Sequence, residues 1–183
     1  MKNEIVQYFN KINSEYPNYY ENEDFSNLDA NIKSYFNNYG IAPIVRTDKT
    51  DVSFFEKNFG FQLPDEITKY INIFWHPYIS GYLLDSESIV LFSVLKKEGD
   101  SSNDVLFYKN GLIDLANHWA EDGDINKYVP IGWLGYSGSF VLYEVDTGEI
   151  FLEDRNADVD GVVEDKPVAH SIAELINNLR LEL

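Results

Sequence analysis

Apolar positions recur along the chain in distinct rhythms, and each rhythm predicts an element. Between residues 3 and 16, Ile5, Phe9, Ile12 and Tyr16 stand three or four apart, the spacing that gathers side chains on one face of an α-helix. Pro17 stops that helix, and the polar and aromatic residues 17–28 read as a loop. Residues 29–39 predict a second, weaker helix with Ile32, Tyr35 and Phe36 on one face and Gly40 as its C-cap. Thr50 or Asp51 can cap a short helix bearing Phe54, Phe55 and Phe59, which Gly60 ends. Pro64 suits the first turn of the next helix, where Asp65 and Glu66 complement the dipole and Ile67, Tyr70, Ile71 and Phe74 form a buried stripe.

The rhythm then changes. Residues 79–84 and 88–95 are rich in β-branched and aromatic residues and predict strands. Residues 102–120 return to helical period through Val105, Leu106, Leu112, Ile113, Leu115, Ala116 and Trp119. Gly111 weakens that helix by about 1 kcal/mol relative to alanine, so a bend or break is expected there. Residues 128–154 predict strand, loop, strand, turn, strand, with Asp146-Thr147-Gly148-Glu149 as a tight hairpin. Ser171 and Glu174 form a capping-box pattern ahead of a closing helix with Ile172, Leu175, Ile176 and Leu179 on one face. The order argues for an α+β fold whose mixed or mainly antiparallel sheet is covered by helices on one side. No repeat or linker divides the chain, so residues 1–183 read as a single domain. Residues 1–49 form its N-terminal helical part and residues 50–183 its core.

Charge changes this picture more than composition does. There are 31 acids against 14 bases, a formal net charge of −17. That disfavours nucleic acid and anionic membranes, whose phosphates need Lys and Arg, and favours solubility and a basic partner. With no cysteine, disulfides, thiolate zinc sites and a cysteine nucleophile are excluded, and the cytosol is the compartment that fits. The charged N-terminus is no signal peptide, and no apolar run reaches the length of a membrane span.

Catalytic signatures are weak. None of His76, His118 and His170 stands four residues from another histidine, so the histidine-rich zinc pattern is missing. The stretch 135–139, GYSGS, misses the nucleophile elbow because its second glycine comes one residue early. Neither a phosphate loop nor a dinucleotide fingerprint occurs. The densest charge is at 152–165, LEDRNADVDGVVED, where Asp154, Asn156, Asp158 and Asp160 alternate like the ligands of a calcium loop. Such a loop needs glycine at its sixth position and a bidentate glutamate at its twelfth. Here these are Val159 and Asp165. A solvated acidic loop and an acidic docking surface are the competing readings, and no metal or other cofactor is assigned.

Three segments carry a resemblance. FEKNFGFQLPDEITKYI (55–71) is a helix, a glycine and a Leu-Pro entry to the next helix. YVPIGWLGYSGSFVLYEVDTGEIFLEDR (128–155) is followed by AHSIAELINNL (169–179), which holds the pattern S-x-x-E-L-x-x-x-L. Together they resemble the SUKH superfamily of cell-wall regulators, Syd proteins and bacterial immunity proteins, and look closest to the Syd family. The resemblance covers roughly residues 50–180. It implies a sheet whose concave face binds a protein, without catalysis. The expected partner is a cognate toxin with a basic surface, which an immunity protein neutralises. The alternative is a Syd-like adaptor on basic cytosolic loops of the SecY channel.

Interface anchors are commonly Trp, Tyr and Arg. The candidate partner-binding set is therefore Trp133, Tyr136 and Tyr143 beside Asp154, Asp158, Asp160, Glu164 and Asp165. Trp75, Tyr78 and Tyr82 are further aromatic candidates. Trp75 and Trp119 are expected in the core, whereas Trp133 and Tyr136 lie in a glycine-punctuated loop where core and interface are equally open.

Overall fold

The structure is a computed structural model that describes residues 1–83, 88–107, 111–154 and 156–181. Leu84 of the predicted strand, residues 108–110 of the predicted helix, Arg155 of the acidic run and the last two residues lie outside the described set. Among the described residues the elements run α1 (Lys2–Glu15), α2 (Ala30–Tyr39), β1 (Ile44–Val45), α3 (Ser53–Phe59), α4 (Asp65–Ile73), β2 (Phe74–Trp75), β3 (Ile79–Tyr82), β4 (Ser88–Leu91), a 3-10 turn (Asp104–Phe107), α5 (Leu112–Asp122), β5 (Tyr128–Leu134), β6 (Phe140–Glu144), β7 (Ile150–Leu152) and α6 (Ile172–Asn178). The fold is α+β. β3 to β7 form a curled five-stranded antiparallel sheet in chain order, and β1 pairs with β2 in a separate two-stranded sheet.

The predicted helices form where the apolar stripes lie. Ile5, Phe9 and Ile12 of α1 are buried, as are Ile67, Tyr70 and Ile71 of α4. Asp51 accepts from the Ser53 N–H at 3.0 Å at the start of α3, and Gly60 ends that helix in the left-handed conformation. Pro64 stands one residue earlier than expected, as the N-cap of α4. Phe74 leaves the helix, because its extended backbone belongs to β2. The long helix expected over 102–120 is divided. A 3-10 turn precedes it, and α5 starts with Gly111 as N-cap, where the weak position was expected. At α6, Ser171 Oγ accepts from the Glu174 N–H at 3.0 Å, while Glu174 reaches back to the His170 N–H at 2.8 Å.

Cross-strand register divides the sheet into two faces. Ile79, Leu91, Gly132, Val141 and Leu152 align on the inner face. That face joins a core reaching from Ile5 of α1 to Leu181. Burying each Leu or Ile there contributes about 1.5–3 kcal/mol. The opposite face carries Ser80, Val90, Trp133 and Phe140 in register, then Leu142 beside Phe151. α5 covers one end of it. Trp119 of α5 packs on Leu142 and Phe151 in a second, smaller cluster. That packing needs a glycine, since a Cβ at Gly123 would stand 2.1 Å from the Trp119 ring.

Both sheet edges are closed. On β3, Ser80 N–H and C=O pair with the Tyr8 hydroxyl at 2.9 and 2.8 Å, and Tyr82 exchanges both backbone bonds with Arg180. On β7, Ile150 bonds Val168 and Ala169, and Leu152 accepts from Glu164. Covered edges block strand addition and leave the outer face as the open part of the sheet. The loop at 17–28 gains order from tyrosines. The Tyr20 hydroxyl donates to Tyr78 C=O at 2.7 Å and the Tyr19 hydroxyl meets Ser80 Oγ at 2.6 Å. Each such bond is worth about 1 kcal/mol net. Burial raises the Tyr8 and Tyr20 hydroxyl pKa values, so both remain neutral donors.

Candidate functional site

The outer sheet face forms the floor of a trough made of three adjoining depressions. The first has a volume of about 610 Å³ and lies between the sheet and the loop holding Glu23, Asp24 and Phe25. Trp133 separates it from the second, of about 420 Å³, whose wall is the polar side of α5. Phe140 and Asp122 continue into the third, of about 390 Å³, which Asp160 and Glu153 close. Trp133 thus stands at the centre, half-buried, paired across β5 and β6 with Phe140 and across β4 with Val90.

The lining is one-sided in charge. Glu23, Asp24, Asp114, Glu121, Asp122, Glu153 and Asp160 stand along it, opposed by Lys97, with the His118 imidazole among them. Glu153 is a strut rather than a free charge: its oxygens accept from Phe140 N–H at 3.0 Å and Gly161 N–H at 3.2 Å. His118 Nδ1 lies 2.8 Å from the Asp114 carbonyl oxygen. Low-dielectric walls lined by one sign of charge focus the field and attract the opposite sign.

Local chemistry explains how the walls hold. The acidic run after β7 doubles back: Asp154 N–H bonds Val162 C=O at 2.8 Å, and Asp154 Oδ1 accepts from Asn156 N–H at 2.9 Å, closing an Asx turn. Gly161 then sits at φ 79°, and a Cβ there would come within 2.3 Å of the Asp122 carbonyl oxygen. This contact ties the acidic loop to the end of α5 and brings Asp160 beside Asp122. At the other end, Tyr78 donates to Glu23 Oε1 at 3.2 Å and tethers the N-terminal wall. Burial, followed by the Glu23 charge, pushes the Tyr78 hydroxyl pKa up, so it remains a donor.

The sequence candidates separate cleanly. Trp133 and Asp160 line the trough. Tyr136 stands beside it, 96% exposed at the tip of the β5–β6 hairpin, whose Gly135 and Ser137 are lining residues. Tyr143 belongs elsewhere: it lies on the inner face, 6% exposed, within the core. Burial and then Glu66 push its hydroxyl pKa up. Its strand position, one residue out of phase with Leu142, turns it inward. Asp158, Glu164 and Asp165 are exposed on the acidic loop and Asp154 is half-exposed, but none of the four lines the three depressions. Trp75 and Trp119 are buried, whereas Tyr78 is half-buried and lines the first depression.

Reading the sequence for apolar stripes alone missed the carboxylates of α5. Asp114, His118 and Glu121 stand at four- and three-residue steps, a helical stripe of its own that lines the second depression beside Leu115. Glu23 and Asp24 have no periodic signal, since tyrosine hydroxyls rather than a repeating pattern hold their loop. Among the described residues no three His, Asp or Glu side chains gather so as to hold a metal ion. No described helix is long and apolar enough to cross a membrane. No protein-family model matches the chain, and no curated protein matches it significantly.

Proposed function

We propose that this chain is a non-enzymatic protein-binding domain of the SUKH kind that neutralises a cognate bacterial toxin in the cytoplasm. It acts by occlusion: the trough covers a basic surface on the toxin, with Trp133 as the central anchor and Tyr136 at the rim. The observation that carries this reading is the outer sheet face itself. It carries three adjoining depressions, is aromatic at its centre and is lined by carboxylates, while both strand edges are closed. A half-buried tryptophan ringed by polar groups is the composition of an interface hot spot. The formal charge of −17 would speed encounter with a basic partner and make the rate fall with salt.

The test is capture of partners from the source organism's lysate on the immobilised chain, washed at low and then high salt, beside a Trp133→Ala column. Recovery of a toxin-bearing polypeptide on the unaltered chain, lost on the Trp133→Ala column, is the expected result. Recovery of a SecY-type channel instead would replace the immunity role with the adaptor role. A partner held equally by both columns would remove the trough from the interface.

A further inference from the structure

The first depression is more specific than the rest of the trough. We infer that it is a receptor for a single arginine side chain of the partner, an inference that rests on the trough being the interface. Its volume of about 610 Å³ falls in the range of about 300–1,000 Å³ usual for ligand sites. Its lining combines three things that a guanidinium uses. Trp133 and Tyr78 offer aromatic faces, and Arg stacks on such faces through both cation–π attraction and planarity. Glu23 and Asp24 offer carboxylates at the wall, matched to a group that stays charged at all ordinary pH. Ser93 offers the third. It is only 8% exposed and lines the cavity, where its hydroxyl can accept or donate.

The chain already uses the same chemistry once, internally. Arg46 lies with its guanidinium carbon 3.7 Å from the Trp75 ring centroid, with Asp48 3.4 Å from Nε and the Ile71 carbonyl oxygen 2.7 Å from Nη1. The first depression repeats the parts of that arrangement (indole, carboxylate, neutral oxygen) without an arginine of its own. Among the described residues Lys97 is the one cation lining it, and its side chain is exposed. A guanidinium fits better than an ammonium because its planar fork can stack and donate along its edge at once.

The experiment needs no toxin. The ¹⁵N-labelled chain is titrated with acetyl-Gly-Arg-Gly-amide and, separately, with the citrulline peptide, which keeps the shape but carries no charge. The readout is the indole N–H signal of Trp133, assigned with Trp133→Phe; the buried Trp75 and Trp119 are internal controls. The expected result is a saturable shift of Trp133 alone, with a Kd of about 1–10 mM, the reach of one anchored side chain. It should weaken at least tenfold with citrulline and in the Glu23→Gln/Asp24→Asn variant, whose unchanged melting shows an intact fold. Absence of a saturable shift, or equal binding of the citrulline peptide by the unaltered chain, overturns the arginine receptor. That failure leaves the trough reading to the capture experiment. Conversely, arginine binding with no partner captured keeps the receptor and removes the toxin reading.

Discussion

At Trp75 the chain packs a cation onto its own indole. Arg46 lies on one face and Lys96 Nζ 5.4 Å from the ring centroid, and the tryptophan is 6% exposed. At Trp133 the indole is half-exposed, carboxylates line both sides, and the described residues place no arginine against it. The difference separates an aromatic site closed by the chain's own cations from one the chain leaves open. A buried guanidinium must be partnered, because stranding its charge costs several kcal/mol. Burial accordingly lowers the Arg46 pKa, with Asp48 acting against that shift. Burial also works to raise the Asp48 carboxyl, but the Ser102 hydroxyl and Arg46 outweigh it and hold its pKa below the usual range. In the open trough the carboxylates face solvent, where a charge needs no partner.

The largest expected effect breaks the internal site. Arg46→Met should lower unfolding stability by about 3 kcal/mol. Trp133→Ala should lower it by about 1 kcal/mol or less, as truncation of a half-exposed side chain. Equal losses in urea titrations would collapse the distinction between the two tryptophans.

The second prediction sharpens the comparison through pH. His76 follows Trp75, is fully buried against Tyr70 at 5.0 Å, and bonds the Pro77 carbonyl oxygen through Nδ1 at 2.7 Å. Burial chiefly, with the Arg46 charge adding to it, lowers its pKa from 6.5 to about 4, against the Pro77 bond. The unfolded state therefore binds the proton first. The contribution is complete above pH 6.5 and is lost as pH falls from 6.5 towards about 4. The total is about 3 kcal/mol by linkage. Stability measured across that window should slope in the unaltered chain and flatten in His76→Phe. In Arg46→Met the slope should shrink but persist, since burial is the larger cause.

Third, Gly161→Ala should cost about 2 kcal/mol, because it combines positive φ with a clash against the Asp122 carbonyl. Thermal melting checks this. A change close to zero would show that the acidic loop is not seated on α5. Fourth, Trp133→Ala should weaken partner binding by about 2 kcal/mol, roughly thirtyfold, in titration calorimetry. The smallest effect is at the loop tip. Asp158→Lys with Asp160→Lys should slow association by about tenfold or less and flatten its salt dependence, as rim charges do. Asp158 alone should do less than Asp160, which lines the trough. Unchanged association kinetics for the pair would take the loop out of the interface.

Much of the fold was legible because periodicity survives local reading. The stripe of α4, the break at Gly111 and the Ser171–Glu174 cap all stand where the residues implied them. Alternation fared less well. Phe140 and Leu142 face outward, while Tyr143, an interface candidate by type, faces the core. Strand alternation says that neighbours diverge but not which face meets the core, and the irregular register between Pro130 and Gly132 shifts the phase partway along β5. The acidic run drew attention by density, yet only Asp160 and Glu153 of it reach the trough.

By itself, then, the order of residues determined the element types, their caps, the acidic charge and the core places of Trp75 and Trp119, while leaving Trp133 open. These depend on spacing within a few residues, which a linear reading contains. Only the tertiary structure decided that Glu23, Ser93, Asp122, Trp133 and Asp160 share one surface. They come from five separate segments, and what joins them acts across the chain: sheet register, tyrosine hydroxyls reaching from residues 8 and 20 to 80 and 78, and a glycine seated on a distant carbonyl.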